Sequence, residues 1–140
     1  MQKIHFYHEN IQKIKIDKKL TKTYLKALIE EEAKKTGNIS VIFCSDDYLH
    51  KINREYLDHD YYTDIITFDY CEKESVAGDI FISTDRVKDN SVKYKVEFQK
   101  ELYRVLFHGI LHLIGFKDKK PTDRTIMKEK EDYYLKKFLG

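Results

Sequence analysis

The most apolar part of the chain runs from Val105 to Phe116 and reads VLFHGILHLIGF. A helix with this sequence is apolar around nearly its whole circumference, which predicts that the helix is buried. We expect it to begin near Lys93 or Tyr94 and to end at Gly115, because glycine tolerates the left-handed conformation found at helix ends. This helix is predicted to form the centre of the domain.

Helical spacing of apolar residues recurs in other segments. The first predicted helix runs from about Lys18 to Thr36, with Asp17 as its N-terminal cap and Gly37 at its end. Its expected buried stripe consists of Leu20, Tyr24, Ala27 and Leu28. Further helices are predicted from Asp46 to Tyr56, from Thr84 onward, and from Pro121 to Phe138, where the proline lies in the first turn.

Strands are predicted where β-branched and aromatic residues cluster between turn residues. They are a first strand with Ile4 and Phe6, whose pattern repeats at Ile14 and Ile16, and three later ones at Asn38–Cys44, Asp64–Tyr70 and Gly78–Ser83. The short link before Gly78 predicts an antiparallel pair, and the early alternation of helix and strand predicts a parallel one. The expected fold is α+β, with a four-stranded mixed sheet and about five helices packed around it.

Composition is that of a globular protein. Because the chain has 140 residues, 36% of them charged and 41% apolar, residues 1–140 are expected to form one domain. No apolar run has the roughly 18–20 residues of a membrane span, and the start of the chain lacks the apolar core of a signal peptide. The spacing of Cys44 and Cys71 indicates no disulfide framework. We therefore expect a cytoplasmic protein with no membrane partner.

Candidate chemistry lies in the apolar helix. His108 and His112 are four residues apart, so both rings lie on one helix face. Asp118 follows shortly after Gly115, where a turn can bring its carboxylate back toward the rings. Two imidazoles and a carboxylate can hold a metal ion and leave a position for water. The alternative is a pair of ordinary core histidines, but burying two unpaired imidazoles would cost roughly 1–3 kcal/mol each, which favours the metal.

Four blocks of the sequence resemble those of a known family. HGILHLIGFKD, from His108 to Asp118, is similar to the HGxLHLxGxxH signature of the YbeY family of endoribonucleases, also called ribosomal RNA maturation factors. Ile52–Phe68 resembles the family's LNxxYRxxDxPTDVLSF segment, and Ala77–Ser83 resembles LGDIxIS. The region of Met127 and Glu131 supplies the fourth block.

The resemblance implies a zincin-like, zinc-dependent endoribonuclease specific for single strands. The family acts in ribosomal RNA processing, notably at the 3′ end of the small-subunit RNA, and in ribosome quality control. The implied partners are single-stranded ribosomal RNA and the small ribosomal subunit, with ribosomal proteins or GTPase assembly factors as further candidates. The family's metal ligands fall on His108, His112 and Asp118.

This chain departs from the family pattern at two positions. Asp118 stands where the family usually has histidine, and because two histidines and a carboxylate also suit iron or manganese, other divalent metals than Zn²⁺ fit. Leu57 stands where the family commonly has an arginine thought to contact RNA. Nearby residues that are candidates for that task are Arg54, Arg104, Lys117 and His59.

Two of these candidates have a proposed catalytic role. Arg104 lies on the same stripe as the two histidines, so it can face a phosphate one turn from the metal or pair with Glu101. Gly109 occupies the place of the general base in the HExxH motif of peptidases, so proton transfer is left to the substrate, to solvent or to a loop residue such as His59 or Asp60. Arg54 and Lys117 are the candidates for RNA binding.

Two other functions stay open from the sequence. A metallopeptidase-like hydrolase shares the HxxxH pattern, but Gly109 cannot act as its base. A non-catalytic ribosome assembly factor with a structural metal agrees with the loss of the arginine at Leu57.

Overall fold

A four-stranded sheet packed with five helices makes up residues 3–140, the part of the chain that the computed structural model describes. The elements in chain order are β1 (Ile4–Glu9), α1 (Lys18–Glu31), β2 (Lys35–Cys44), α2 (Asp46–Leu57), β3 (Ile65–Asp69), β4 (Ser75–Ser83), α3 (Thr84–Lys93), α4 (Phe98–Ile114) and α5 (Pro121–Leu139). The predicted α+β class with a mixed sheet is confirmed.

The strand order is β1-β2-β4-β3, which puts β3 at one edge of the sheet. β1 pairs with β2 in parallel, and β2 pairs with β4 in parallel. β3 pairs with β4 antiparallel, with Ile65 opposite Ile82. The antiparallel pair and the presence of parallel pairing both agree with the sequence-based prediction. As a result, the start of β3 lies beside the end of β4.

Helix α4 packs against β3 and β4 and also contacts α1, α3 and α5. Two glycines permit this close packing. A Cβ on Gly109 of α4 would lie 2.8 Å from Ile65 Cδ1 and 3.1 Å from Ile80 Cγ2. A Cβ on Gly78 of β4 would lie 2.3 Å from the Phe68 carbonyl oxygen of β3 and 3.1 Å from Leu113 Cδ2 of α4. Since there is no room for a side chain at either position, α4 is held close to the sheet and its histidine-bearing face is fixed beside β3.

The first helix is shorter than predicted. Asp17 does cap it by accepting a hydrogen bond from the Leu20 amide at 3.0 Å, but α1 ends at Glu31 rather than Thr36. Ala33 then adopts a positive φ of 62°. Lys35 and Thr36 pair with Ser75 and Val76 of β4, so strand pairing takes these residues from the helix. Gly37 therefore lies inside β2 and does not end α1.

The buried stripe of α1 was predicted only in part, since Leu28 is buried as expected but Leu20 is not. Leu20 is 42% exposed. The buried residues are Thr21, Leu25, Leu28 and Ile29, a set rotated by about one residue from the predicted stripe. The hydroxyl of Thr21 faces the Tyr103 hydroxyl at 2.7 Å, so a polar contact occupies a position that an apolar pattern cannot reveal.

Two further boundaries differ from the prediction. Ile14 and Ile16 belong to no strand; they are half-buried and pack on the core from an irregular segment. Helix α4 begins at Phe98, not near Lys93 or Tyr94, because α3 extends to Lys93 and Lys95 has a positive φ of 56°. Among residues 3–140, no helix combines the length and apolar character needed to cross a membrane.

Candidate active site

A cavity of about 340 Å³ lies between α4, the start of β3, the turn after α4 and helix α5. It is lined by Thr63, Asp64, Ile65, Thr67, Glu101, Arg104, Val105, His108, His112, Asp118 and Glu131. The stripe of α4 predicted from the sequence, from Glu101 to His112, thus lines one wall. Seven of the lining residues have ionisable side chains, so the cavity is strongly polar.

The turn after α4 brings Asp118 against His108. Gly115 adopts a φ of 128°, and its amide donates to the carbonyls of Leu111 and His112. The amide of Phe116 also donates to the Leu111 carbonyl, so the chain reverses within two residues. The Asp118 Oδ2 atom then lies 3.2 Å from Nε2 of His108. The predicted approach of this carboxylate is therefore present for the first histidine.

The second histidine does not complete a closed cluster. His112 lines the same cavity, but its side chain is exposed, which contradicts the expectation that both rings are buried. In residues 3–140, no three His, Cys, Asp or Glu side chains lie close enough together to hold a metal ion. Of the three predicted ligands, His108 and Asp118 are in contact at 3.2 Å, and His112 lines the same cavity without joining them. An imidazole and a carboxylate that face each other suit a divalent metal chemically.

Glu131 of α5 binds the other side of the His108 ring. Its Oε2 atom lies 2.7 Å from His108 Nδ1, and the side chain is only 10% exposed. Burial alone would lower the pKa of His108, but the hydrogen bond and charge of Glu131, with the charges of Asp118 and Asp64, raise this pKa above its ordinary value. Both ring nitrogens thus face carboxylates, and the hydrogen bond at Nδ1 leaves Nε2 directed at Asp118.

Arg104 is already bound by two carboxylates. Its Nη1 atom donates to Glu131 Oε1 at 3.0 Å, and its Nη2 atom donates to Asp132 Oδ1 at 2.6 Å. The predicted alternative, a pair with Glu101, is not the one formed, because α5 supplies nearer partners. Arg104 therefore anchors Glu131, which in turn holds His108.

Comparisons with known proteins identify the family. The sequence model of the family described as "Endoribonuclease YbeY" matches residues 4–139. The chain is 50% identical over 132 residues to the endoribonuclease YbeY of Parabacteroides distasonis, with 94% of this chain and 93% of that protein covered. It is 52% identical over 115 residues to that of Flavobacterium johnsoniae, with 82% and 83% covered. The chain belongs to the YbeY family. The sequence-based recognition is confirmed.

A solved structure agrees with this membership. The solution structure of a Thermotoga maritima protein superposes with a TM-score of 0.69 and 28% sequence identity, covering 96% of this chain and 88% of that one. The YbeY-like fold predicted here therefore has a counterpart in a solved structure.

Three of the predicted site residues of this YbeY chain lie outside the cavity. His59 is exposed and stacks on Tyr61, whose hydroxyl lies 3.1 Å from His59 Nδ1. Arg54 is exposed on α2, and Lys117 is exposed in the turn after α4. Leu57, at the end of α2, is also exposed and does not line the cavity. Of the predicted residues, the structure brings together Arg104, His108, His112 and Asp118.

Two carboxyl groups, the half-buried Asp64 and the buried Glu101, complete the cavity of this YbeY-family domain and were missed as site residues. Asp64 stands just before β3 inside the block that resembles the family's PTDVLSF, and Glu101 is one of the α4 stripe residues. Burial raises the pKa of Asp64, although the charge of His108 acts in the opposite direction. Burial also raises the pKa of Glu101, against the effect of Arg104. The family block and the helical stripe were the sequence signals for these residues.

The raised pKa of Asp64 predicts a stabilising substitution. A carboxyl whose folded pKa lies above its unfolded pKa contributes stability at low pH that is lost as the pH rises through the folded value. Asp64→Asn removes this penalty, so the metal-free variant is expected to melt a few degrees above the wild type at about pH 8 and to gain less at about pH 5. Thermal unfolding of the metal-free proteins at both pH values measures the difference.

Asp89→Asn on α3 is the matched control, because Asp89 is exposed and the variant should melt with the wild type. A lower melting temperature for Asp64→Asn at both pH values would mean that the ionised carboxylate makes favourable contacts, and would refute this interpretation.

Proposed function

We propose that this YbeY-family endoribonuclease cleaves single-stranded ribosomal RNA with a divalent metal ion held by His108, His112 and Asp118. The observation that carries the proposal is the position of His108, whose Nδ1 is bound by Glu131 while Nε2 faces Asp118 at the cavity wall. Histidine ligands of metals almost always donate their second ring N–H to a carboxylate or a carbonyl. The His108 ring is therefore already oriented as such a ligand requires.

Each residue of the cavity has its own role in the proposed reaction. A bound divalent metal supplies a water of lowered pKa and stabilises charge on the phosphoryl oxygens. Glu131 fixes the ring orientation of His108, and Arg104 holds Glu131 in place. Asp64 and Glu101 line the cavity and burial raises the pKa of both carboxyls, so they are the proposed donors of a proton to the leaving oxygen. We retain His59, from the loop before Asp64, as a second proposed proton carrier.

Zn²⁺ is the proposed metal, one per chain, and manganese or iron would also suit a set with Asp118. The proposed substrate region is the 3′ end of the small-subunit ribosomal RNA. The proposed partners are the small ribosomal subunit, ribosomal proteins and GTPase assembly factors, and the proposed location is the cytoplasm. Arg54 and Lys117 remain proposed RNA contacts, and residues 1–140 are proposed to act as one hydrolase domain.

The test compares substrates with and without metal. Purified full-length protein is incubated with a single-stranded ribosomal RNA fragment, the same fragment annealed to its complement, DNA of the same sequence, and casein. We expect cleavage of the single-stranded RNA only, loss of cleavage after chelation, and recovery when Zn²⁺ or Mn²⁺ is returned. Intact RNA together with normal binding to small ribosomal subunits would instead favour a non-catalytic assembly factor, and cleaved casein would favour a peptidase.

A further inference from the structure

A second cavity of about 540 Å³ lies beside the active-site cavity, along α5. Five residues line both, namely Glu101, Arg104, His108, Asp118 and Glu131. The second cavity adds Tyr94, Val96, Arg124, Met127 and Lys128, which we call the α5 lobe. Because five residues line both cavities, the α5 lobe lies directly beside the catalytic cavity, and we call the two together the cleft. A chain bound at His108 can therefore extend into the α5 lobe.

The α5 lobe contains the two cations of the cleft that no carboxylate neutralises. Arg104 is ion-paired with Glu131 and Asp132. Arg124, by contrast, donates from Nη1 to the carbonyl oxygen of Lys119 at 2.6 Å, which orients the guanidinium without cancelling its charge. Throughout residues 3–140, neither Arg124 nor Lys128 is ion-paired with a carboxylate. Their positive charge is available to an anionic ligand.

The spacing of these cations suits a polyanion. Arg124 and Lys128 are four residues apart on α5, which corresponds to about 6 Å along a helix axis. This rise is comparable to the distance between neighbouring phosphates of an extended nucleic-acid strand. A row of two cations that leads away from His108 matches the charge of a phosphodiester chain better than that of a small anion.

The ring of Tyr94 lines the α5 lobe, and Lys93 Nζ lies 5.5 Å from its centroid. Tyr94 follows α3 and is 58% exposed. Aromatic faces bind unpaired bases of any sequence by stacking, at roughly 1–3 kcal/mol per base. Val96 and Met127 supply apolar surface beside it, with Met127 buried in the wall. The lobe therefore offers contacts for both the backbone and the bases of a single strand.

We propose that the α5 lobe is a substrate subsite in which Arg124 and Lys128 bind the phosphates flanking the scissile bond and Tyr94 stacks on a base of single-stranded RNA. This inference rests on the endoribonuclease function proposed above. In this subsite the α5 cations supply the phosphate contacts that Leu57 cannot make. The α5 lobe thereby gives the enzyme its preference for unpaired strands, since a paired base cannot stack on Tyr94.

The test measures RNA binding separately from cleavage. Binding of a fluorescent single-stranded RNA of about ten nucleotides to chelator-treated protein is followed by anisotropy at several salt concentrations. For Arg124→Gln with Lys128→Gln, we expect Kd to rise about tenfold or more and the salt slope to fall by roughly 1.4, because each lost phosphate contact removes about 0.7. Tyr94→Ala should weaken binding by a similar factor without changing the salt slope.

Two controls show that charge at these positions is responsible. Arg124→Lys keeps the charge and should retain most of the affinity. Lys26→Gln removes an exposed lysine from α1, away from the cleft, and should bind like the wild type. In the metal-loaded enzyme, the double variant should raise KM for the ten-nucleotide RNA more than it lowers kcat.

The outcomes separate this inference from the proposed function. If the wild type binds RNA without cleaving it and the double variant loses binding, the nuclease proposal fails and the subsite stands. If the wild type cleaves RNA and the double variant keeps the wild-type Kd, salt slope and KM, the subsite is overturned. Unchanged RNA binding together with lost binding to ribosomal proteins would also overturn it, in favour of an acidic protein surface as the ligand.

Discussion

His108→Ala is expected to reduce RNA cleavage by at least about 10³-fold, because metal-assisted charge stabilisation supplies several kcal/mol and each 1.4 kcal/mol is a factor of ten. His108 is the residue on which the site converges, since Glu131 binds one nitrogen of its ring and Asp118 faces the other. Alanine removes the proposed ligand and leaves both carboxylates without their shared partner. Single-turnover cleavage of a labelled single-stranded RNA, with metal content determined on the same samples, measures the effect.

His5→Ala is the matched control, because His5 is an exposed histidine on β1. This variant should cleave RNA at the wild-type rate. Asp118→His restores the ligand that the family usually has, so it should remain active. Cleavage that persists in His108→Ala after further purification would remove His108 from the mechanism. Cleavage that disappears on purification would be a contaminating nuclease.

Local sequence signals predicted the parts of the site that lie close together in the chain. One turn joins His108 to Asp118. The sequence predicted that Gly115 ends the helix before this turn, and its φ is 128°. The apolar run around His108 likewise predicted the central helix, because a helix packed on several sides needs no polar face. These features depend on neighbouring residues, which a single sequence displays.

Contacts between distant segments could not be predicted in the same way. Glu131 reaches His108 from 23 residues away, and Arg104 reaches Asp132 from 28 residues away. For Arg104 the sequence offered a phosphate or Glu101 as partners, and it did not reveal the ion pairs with Glu131 and Asp132 of α5. The end of α1 failed for the same reason, since Lys35 and Thr36 join β2 by pairing with β4. In each case a long-range partner overrode a local preference.

Ion pairs between α4 and α5 explain how the half-buried ring of His108 is held in one orientation. Burial alone disfavours a charged ring, yet two carboxylates bind it, and one of them is anchored by Arg104. The ion pairs that link Asp132, Arg104, Glu131 and His108 thus let α5 fix the orientation of a ring on α4. Such a chain costs stability if it is broken, because it leaves a buried charge without its partner.

Glu131→Gln is expected to lower metal affinity by about 10–100-fold while preserving the fold, since removal of a carboxylate that orients a ligand histidine has this typical effect. Glutamine has the same size, but it is neutral and no longer fixes the ring through a charge-assisted hydrogen bond. Arg104 keeps Asp132, at 2.6 Å, so the loss of stability should be smaller than for an orphaned charge. Competition with a chromophoric chelator measures zinc and manganese affinity independently of activity.

Glu129→Gln, an exposed substitution on the same helix, should bind metal like the wild type. Glu131 both binds His108 and is anchored by Arg104, and Arg104→Gln removes only the anchor. The metal affinity of Arg104→Gln should therefore fall less than that of Glu131→Gln. If Glu131→Gln lowers only the melting temperature of the metal-free protein and binds metal normally, then Glu131 is a buried ion-pair partner and does not orient the ligand. A loss of affinity that follows the order Glu131→Gln, Arg104→Gln, wild type would instead show that the orientation of one imidazole is set from a neighbouring helix.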